Sequence, residues 1–582
     1  MAKNGFVMVQ ADANPEKQQF VLLRTLIAVI VTGLGFGFVM AFVSNWFVLG
    51  VQWLSGLRAP TSFLVLHVGD LPLAFGPLLS LLIAACAILV VRRLFGIIRW
   101  HGPADSIYAA HRTDNELDVK HGFGSTLAAF ISASGGASVG QYGPLVHFGA
   151  TMGSFIRQIT GSKFTTDVFI GCGVAGAIAA GFNAPIAGVV FAHEAILRHF
   201  SLRAIAPIAI ASITAAWVSK WIFGANPLFM LGDLTPNLIE LLPAALIAGP
   251  AFGLLAVLFM QSLRRSAAFA AGSGWSPARL LFTAAVLTGC VGMFVPEVLG
   301  LGGGTVAAVL EGAYDEVYLL LLLFLKLAVT ALCIGFGMFG GVFSPAMFVG
   351  VTAGAVAGRL LALLGLSVAG PGLAICGMAA VAAAVIGAPV AGVLIILEMT
   401  MSYEFALAAM LSVVVSTMVS NVIFGHSFFD RQLLDRKIDV SQGRGHIEMM
   451  ETPVMNIVSP DYVRLASDAG VRTAIDALIA AEATEGYVLA ADDDKFIGKV
   501  ALHELLGADG NALAQKHLVQ GPISIKHDAS LQQAIEVASN FVGESIPIIN
   551  RDTEAFQGVV TEADLFKLYL TLQTKVTDLE RS

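Results

Sequence analysis

Two short stretches of this chain carry residues that could hold or move charge inside otherwise apolar sequence. The first is Ser138 to Gly149, SVGQYGPLVHFG, where Gly140, Gly143 and Pro144 frame a tight turn. Pro144 suits the first turn of a helix, because its missing N–H is not needed there. A helix that begins at this point aims unpaired N–H groups and the positive end of its dipole at whatever lies ahead, and an anion is the natural occupant. The second is His193-Glu194, an ionisable pair in an apolar run. Such a pair at membrane depth marks a candidate ion or proton site.

Both stretches have a distant counterpart. Ala179 to Glu194 aligns without gaps with Ala383 to Glu398, at an offset of 204 residues. Identical pairs include Ala184/Ala388, Pro185/Pro389, Ala187/Ala391, Gly188/Gly392 and Glu194/Glu398. Gly140-Gln-Tyr-Gly-Pro144 matches Gly341-Val-Phe-Ser-Pro345 at an offset of 201. Two separated motifs at nearly one offset indicate a duplicated membrane unit, inverted, with its site where the halves meet. Glu194 therefore carries two readings: part of a proton route with His193, or a structural residue with a repeat mate.

The elements that must position these residues follow from composition. Of 582 residues, 56% are hydrophobic and 13% charged, against about a quarter charged in soluble domains. The chain is a polytopic membrane protein. The five cysteines, Cys86, Cys172, Cys290, Cys333 and Cys376, stand singly in apolar runs, without metal-ligand spacing. Phe20 to Leu57 is one long apolar segment, longer than a perpendicular span needs. Leu73 to Val91 ends at Arg92, Arg93 and Arg99, which places that end and the N-terminus in the cytoplasm. Four shorter apolar pieces follow: Gly122 to Ser134, Pro144 to Ile159, Val168 to Phe182 and Pro185 to Leu197. Pieces this short, broken by Gly and Pro, predict discontinuous helices around a site at membrane depth.

From Ser441 onward there are 21 acidic and 11 basic residues. This soluble, acidic tail excludes nucleic acid as a partner. It alternates short strands and helices twice, each unit ending in Gly, strand and helix: Gly498-Lys-Val-Ala-Leu-His-Glu504 and Gly558-Val-Val-Thr-Glu-Ala-Asp564. No phosphate-binding Gly-Lys-Ser/Thr loop, Cys/His metal cluster or nucleophile elbow is present, so no catalytic or metal-ligating residues are assigned and no enzyme is expected.

At these residues the chain resembles the CLC family of chloride channels and proton/chloride exchangers. The matches are Asn183 to Gly188, Gly341 to Pro345, and Gly387 to Thr400; the tail resembles a pair of CBS modules. The resemblance implies an all-α membrane domain of two inverted repeats with broken helices, followed by a cytoplasmic α/β CBS pair. The divisions are a cytoplasmic segment 1–19, a transmembrane domain 20–437 with repeats at 73–225 and 237–437, a linker 438–452, and tandem CBS domains 453–582 (453–506 and 517–570). It also implies a homodimer in a lipid bilayer, a multi-pass protein of the bacterial inner membrane with both termini cytoplasmic, and one chloride pathway per subunit.

The family holds chloride at helix N-termini, matched here by His101, Gly102, Gly140, Gln141, Tyr142, Gly143, Gly341, Val342, Phe343 and Phe429. Backbone N–H groups bind an anion without a fixed full charge, so it can also leave. The departures concern side chains. The family's hydroxyl-bearing serine aligns with His101, or with Gly102 after a one-residue shift. The pore tyrosine aligns with Phe429. The gating glutamate is replaced by Tyr142, and the inner proton-transfer glutamate by Ala195. A phenol with an unperturbed pKa near 10 neither mimics an anion nor exchanges protons readily at neutral pH. The expectation is passive chloride transport with Tyr142 as the gate. The alternative is a proton-coupled exchanger with an atypical route through Glu194 and His193. A second alternative is a membrane-anchored nucleotide sensor. No cofactor is expected beyond chloride as bound ion and, in the tail, an adenine nucleotide bound weakly or not at all near Thr561 and Asp564.

Overall fold

The computed structural model describes residues 15–57, 65–68, 71–112, 114, 116–160, 166–200, 202–224, 236–363, 365, 371–491, 494–519 and 523–581. Of the expected segment 1–19, residues 1–14 lie outside this set, as does most of the link after Leu57. The described chain forms two compact units, the first running to Lys437 except for a short stretch at 111–114, which groups with the second unit from Ile438 onward.

The first unit opens with α1 (Pro15–Gly56), a 42-residue helix. A short antiparallel strand pair follows, β1 (Val65–Val68) with β2 (Leu71–Ala74), an addition to the all-helical expectation. Next come α2 (Gly76–Phe95), α3 (Pro103–His111), α4 (Val119–Gly135), α5 (Tyr142–Thr160), α6 (Thr166–Phe182), α7 (Pro185–Phe191) and α8 (Leu202–Phe223). The second half holds α9 (Leu238–Gly272), α10 (Pro277–Phe294), α11 (Gly303–Leu310), α12 (Glu316–Gly335), α13 (Phe343–Leu363), α14 (Gly372–Ile386), α15 (Pro389–Thr400), α16 (Tyr403–Phe424) and α17 (Phe428–Leu434). Eight described helical segments are long and apolar enough to cross a membrane. Among the shorter apolar helices, α14 is buried at every residue and α6 at nearly all.

The duplication is visible in backbone geometry. Asn183 (φ 53°) and Gly387 (φ 78°) are both left-handed, a region that Gly and Asn enter at least cost. Each is followed by an extended alanine, Ala184 (φ −127°, ψ 78°) and Ala388 (φ −130°, ψ 74°), and then by the proline that starts α7 or α15. The central helix pairs cross at glycines in both halves. A Cβ on Gly149 would lie 2.3 Å from the Gly173 carbonyl oxygen, and one on Gly350 would lie 2.3 Å from that of Gly377. Backbones in such contact exclude any side chain and pack α5 on α6, and α13 on α14, at the shortest possible separation.

The second unit begins with α18 (Gly443–Glu451), so helix occupies part of the expected linker 438–452. Two like modules follow. The first comprises β3 (Val463–Ala466), α19 (Val471–Ala480), β4 (Glu485–Leu489), β5 (Phe496–Ala501) and α20 (Leu502–Leu505). The second comprises β6 (Ile525–Lys526), α21 (Leu531–Ala538), β7 (Ser545–Ile549), β8 (Phe556–Thr561) and α22 (Glu562–Arg581). In each, the first two strands are parallel and the last two antiparallel. Isolated bridges Ser459–Val559 and Lys495–Ala555 tie the modules together, and Tyr487, Leu489, Phe556 and Val559 form a shared apolar cluster.

Candidate functional site

The two glycine turns singled out by sequence meet each other. Gly140 N–H donates to the Gly341 carbonyl at 2.6 Å, and Gly341 N–H donates back to Gly140 at 2.7 Å. This two-bond bridge sets the first residues of α5 beside the first residues of α13. Two cavities lie on either side of the junction.

The inner cavity is about 570 Å³. Gly102 and Pro103 line it from the start of α3, Gly143 from α5, Gly341 and Val342 from the turn before α13, and Phe429 from α17. Four helix starts thus converge on one space, the arrangement that holds an anion with backbone N–H groups and helix dipoles. Ser427 caps α17 by accepting from Asp430 N–H at 3.2 Å, which fixes the approach of Phe429. Its mouth is basic: Arg99, Arg264, Arg265 and Arg436 line it with Asp105 and Asp435. Asp105 accepts from Gly102 N–H at 2.8 Å and is bracketed by Arg99 at 2.7 Å and Arg436 at 2.8 Å. That network was not singled out from sequence, although an Asp in the first turn after Gly-Pro is an ordinary capping signal.

The outer cavity is about 440 Å³ and is lined by Gln141, Tyr142, Gly181, Ser344 and the 300–304 glycine loop. Tyr142 lines the outer space, and the next residue, Gly143, lines the inner one. Its ring stacks on Phe182 with centroids 3.5 Å apart and meets Phe343 edge-on at 5.7 Å. Its hydroxyl donates to the Gly181 carbonyl at 3.3 Å. The proposed anion residues therefore separate: Gly102, Gly143, Gly341, Val342 and Phe429 face the inner cavity, Gln141 and Tyr142 the outer one. Gly140 and Phe343 pack at the junction. Between the two registers weighed for the first motif, the structure lines the cavity with Gly102. His101 points its backbone N–H at Ser125 Oγ, 3.0 Å away, and its ring lies 5.3 Å from His121 and 6.3 Å from His147.

Glu194 and His193 lie away from both cavities. The Glu194 carboxylate accepts from the N–H groups of Val390 (3.0 Å) and Ala391 (2.7 Å) at the start of α15. Glu398 does the same for Ile186 (3.0 Å) and Ala187 (2.8 Å) at the start of α7. Each repeat's glutamate caps the other repeat's helix. His193 Nδ1 lies 2.9 Å from the His199 carbonyl, and its ring stacks on Phe200 at 5.0 Å. Ala195, beside the pair, is buried. In the tail, Thr561 Oγ1 donates to Asp564 Oδ2 at 2.6 Å, where β8 passes into α22. The described residues contain no group of His, Cys, Asp and Glu that fits a metal ion.

Comparison with known proteins agrees with the fold. Residues 81–421 match the family described as "Voltage gated chloride channel", and residues 517–571 match the CBS domain. Over 423 residues the chain is 31% identical to the "H(+)/Cl(-) exchange transporter ClcA" of Vibrio parahaemolyticus, covering 69% of this chain and 88% of that protein. It is 28% identical to the "Putative chloride channel protein ClcB-like" of Ralstonia nicotianae, covering 58% and 80%. Its fold superposes on the crystal structure of a slow cyanobacterial Cl−/H+ antiporter with a TM-score of 0.61 at 22% identity, covering 71% of this chain and 98% of that one.

Proposed function

The chain belongs to the voltage-gated chloride channel family, and from that premise we propose that it carries chloride between the inner and outer cavities past Tyr142, without obligatory exchange for protons. The observation that carries this reading is the environment of Tyr142. Its ring stacks on Phe182 and meets the edge of Phe343, and its hydroxyl rests on a backbone carbonyl. A coupled gate needs a group that competes with the anion when charged and releases the site when neutral. A phenol among apolar rings does neither near pH 7, where its unperturbed pKa of about 10 keeps it neutral. Chloride would be held in the inner cavity by the N–H groups around Gly102, Gly143 and Val342, and would pass when the Tyr142 ring swings off Phe182.

Proton-coupled exchange is the second reading, and the relatives speak for it: the names of the Vibrio transporter and of the cyanobacterial antiporter match exchange better than passive flow. Under that reading protons would reach the anion with tyrosine at 142 and alanine at 195. The Glu194 carboxylate would have to leave two N–H donors to take part. We place the chain in a bacterial inner membrane as a homodimer with both termini cytoplasmic. Arg92 and Arg93 at the end of α2 support that orientation. The deciding measurement is proton movement in chloride-loaded proteoliposomes. The passive reading expects a chloride gradient to collapse without uphill proton transport; proton uptake that survives a leak control and scales with the chloride gradient establishes exchange instead.

A further inference from the structure

Next to Gly102 of the inner cavity begins a row of three imidazoles to which neither reading gives a proton. His121, near the start of α4, is partly open to solvent and bonds Asp118 through Nδ1. The His101 ring lies 5.3 Å from it. The His147 ring lies 6.3 Å further in, is 1% exposed, and has its Nδ1 2.8 Å from Ser106 Oγ on α3. His147 Nε2 is buried without a hydrogen-bond partner. An unpaired imidazole nitrogen in the protein interior is costly, and here it sits on the helix that presents Tyr142 and Gly143.

We propose that His121, His101 and His147 form a proton-binding column whose occupancy sets the affinity of the inner cavity for chloride. The inference rests on the chloride-transport reading, under either form of coupling. Histidine is the side chain whose unperturbed pKa lies near physiological pH. The ring separations are within a rotation or one bridging water of a hydrogen bond, the reach over which imidazoles pass protons. His101 directly precedes Gly102, which lines the cavity, so a proton on His101 puts a positive charge one residue from the anion. His147 acts as a positioning residue: its bond to Ser106 ties α5 to α3, two of the helices whose first turns face that space.

Burial, Arg99 and the neighbouring imidazoles oppose a proton on His101 and His147, and the carboxylates beside them favour it. Asp118 and Asp105 face His101, with Arg99 and His121 alongside; Asp105, Arg99 and His101 face His147. Asp105 is already held by Arg99 and Arg436, which leaves Asp118 at the open end to stabilise an imidazolium. The sign follows from linkage. A proton on the column favours chloride, and bound chloride favours the proton. Affinity is therefore high below the titration of the column and falls as pH rises through it.

The test is chloride binding to the full-length protein by calorimetry at about pH 4.5 and about pH 7.5, the acid point set below the ordinary imidazole range because burial lowers His101. Wild type is expected to bind roughly tenfold more tightly at the acid pH, the scale of one charge at short range in a partly screened site. His101→Asn with His147→Asn should bring that ratio close to one. His101→Arg, permanently charged, should bind tightly at both pH values, a gain that loss of folding cannot imitate. A wild-type affinity independent of pH, or a pH ratio that survives the double substitution, overturns the column while leaving chloride transport standing. Absence of chloride binding at both pH values overturns the transport reading together with it.

Discussion

Gly341 has no room for a side chain. A Cβ there would lie 2.9 Å from the Gly143 nitrogen and 3.2 Å from the Gly140 carbonyl oxygen. Gly341→Val must therefore open the two-bond bridge that joins the halves. Overpacking of this kind costs about 1–3 kcal/mol, and it falls where the anion passes, so chloride efflux from proteoliposomes should drop by at least about tenfold. Phe429 is different. Its place in the cavity is set by α17 and its side chain offers no donor, so Phe429→Ala should alter efflux by less than about threefold if backbone N–H groups hold the ion. Abolished efflux in a folded Phe429→Ala protein would show that the side chain, not the backbone, holds chloride. Tyr142→Ala removes the ring stacked on Phe182 and should raise efflux severalfold; unchanged efflux would mean that the ring does not obstruct the path. At this scale the sequence marked Gly140 and Gly341 by type and spacing, and Tyr142 through the family resemblance. It did not mark the stack on Phe182, because the two residues are forty positions apart and belong to different helices. His147 went unread as well: inside an apolar run a lone histidine carries no periodic signal.

The broken helices were legible because Gly and Pro interrupt their apolar runs. α4, α5, α6 and α7 begin within three residues of where those interruptions predicted. The offset of 204 residues also pointed to paired units. Sequence alone could not show that the paired glutamates are exchanged, with Glu194 capping α15 and Glu398 capping α7. Each carboxylate satisfies two N–H groups that a proline-started helix leaves unpaired. A charged cap at a helix N-terminus is worth about 1–2 kcal/mol. Glu194→Ala and Glu398→Ala should then each lower thermal stability by a similar amount, because the two sites are geometric copies. The comparison discriminates between roles. If Glu194 belongs to a proton route, its substitution should change proton flux with little effect on melting, while Glu398→Ala should destabilise alone. Matched losses of melting temperature, with chloride efflux preserved in both, are the expected result.

Taken as a whole, the molecule separates its chemistry by charge. The membrane unit presents arginines at the inner cavity, whereas the tail from Ser441 onward carries 21 acidic residues against 11 basic. The two-module plan of the tail was readable from its repeated Gly, strand and helix order, since each strand is a short apolar run bounded by turn residues. Its ligand was not, because nucleotide recognition depends on a few side chains at module ends. In the second module Thr561 and Asp564 are bonded to each other: the hydroxyl donates to the carboxylate, and Asp564 N–H donates to the hydroxyl at 3.1 Å. A nucleotide would have to share or displace that pair. In the first module the equivalent positions are Ala501, which offers no side-chain cap, and Glu504, which is exposed. A polyanion approaching this acidic surface is also repelled over about a Debye length, ~10 Å at 0.1 M salt. We therefore expect the full-length protein to bind at most one adenine nucleotide per chain, weakly, and to bind it somewhat better as salt is raised. Thr561→Val should abolish that binding without affecting chloride efflux. Calorimetry that returned two tight sites per chain, or an affinity that fell steeply with salt, would mean that a basic nucleotide pocket exists elsewhere in the tail and that the Thr561–Asp564 pair serves only to start α22.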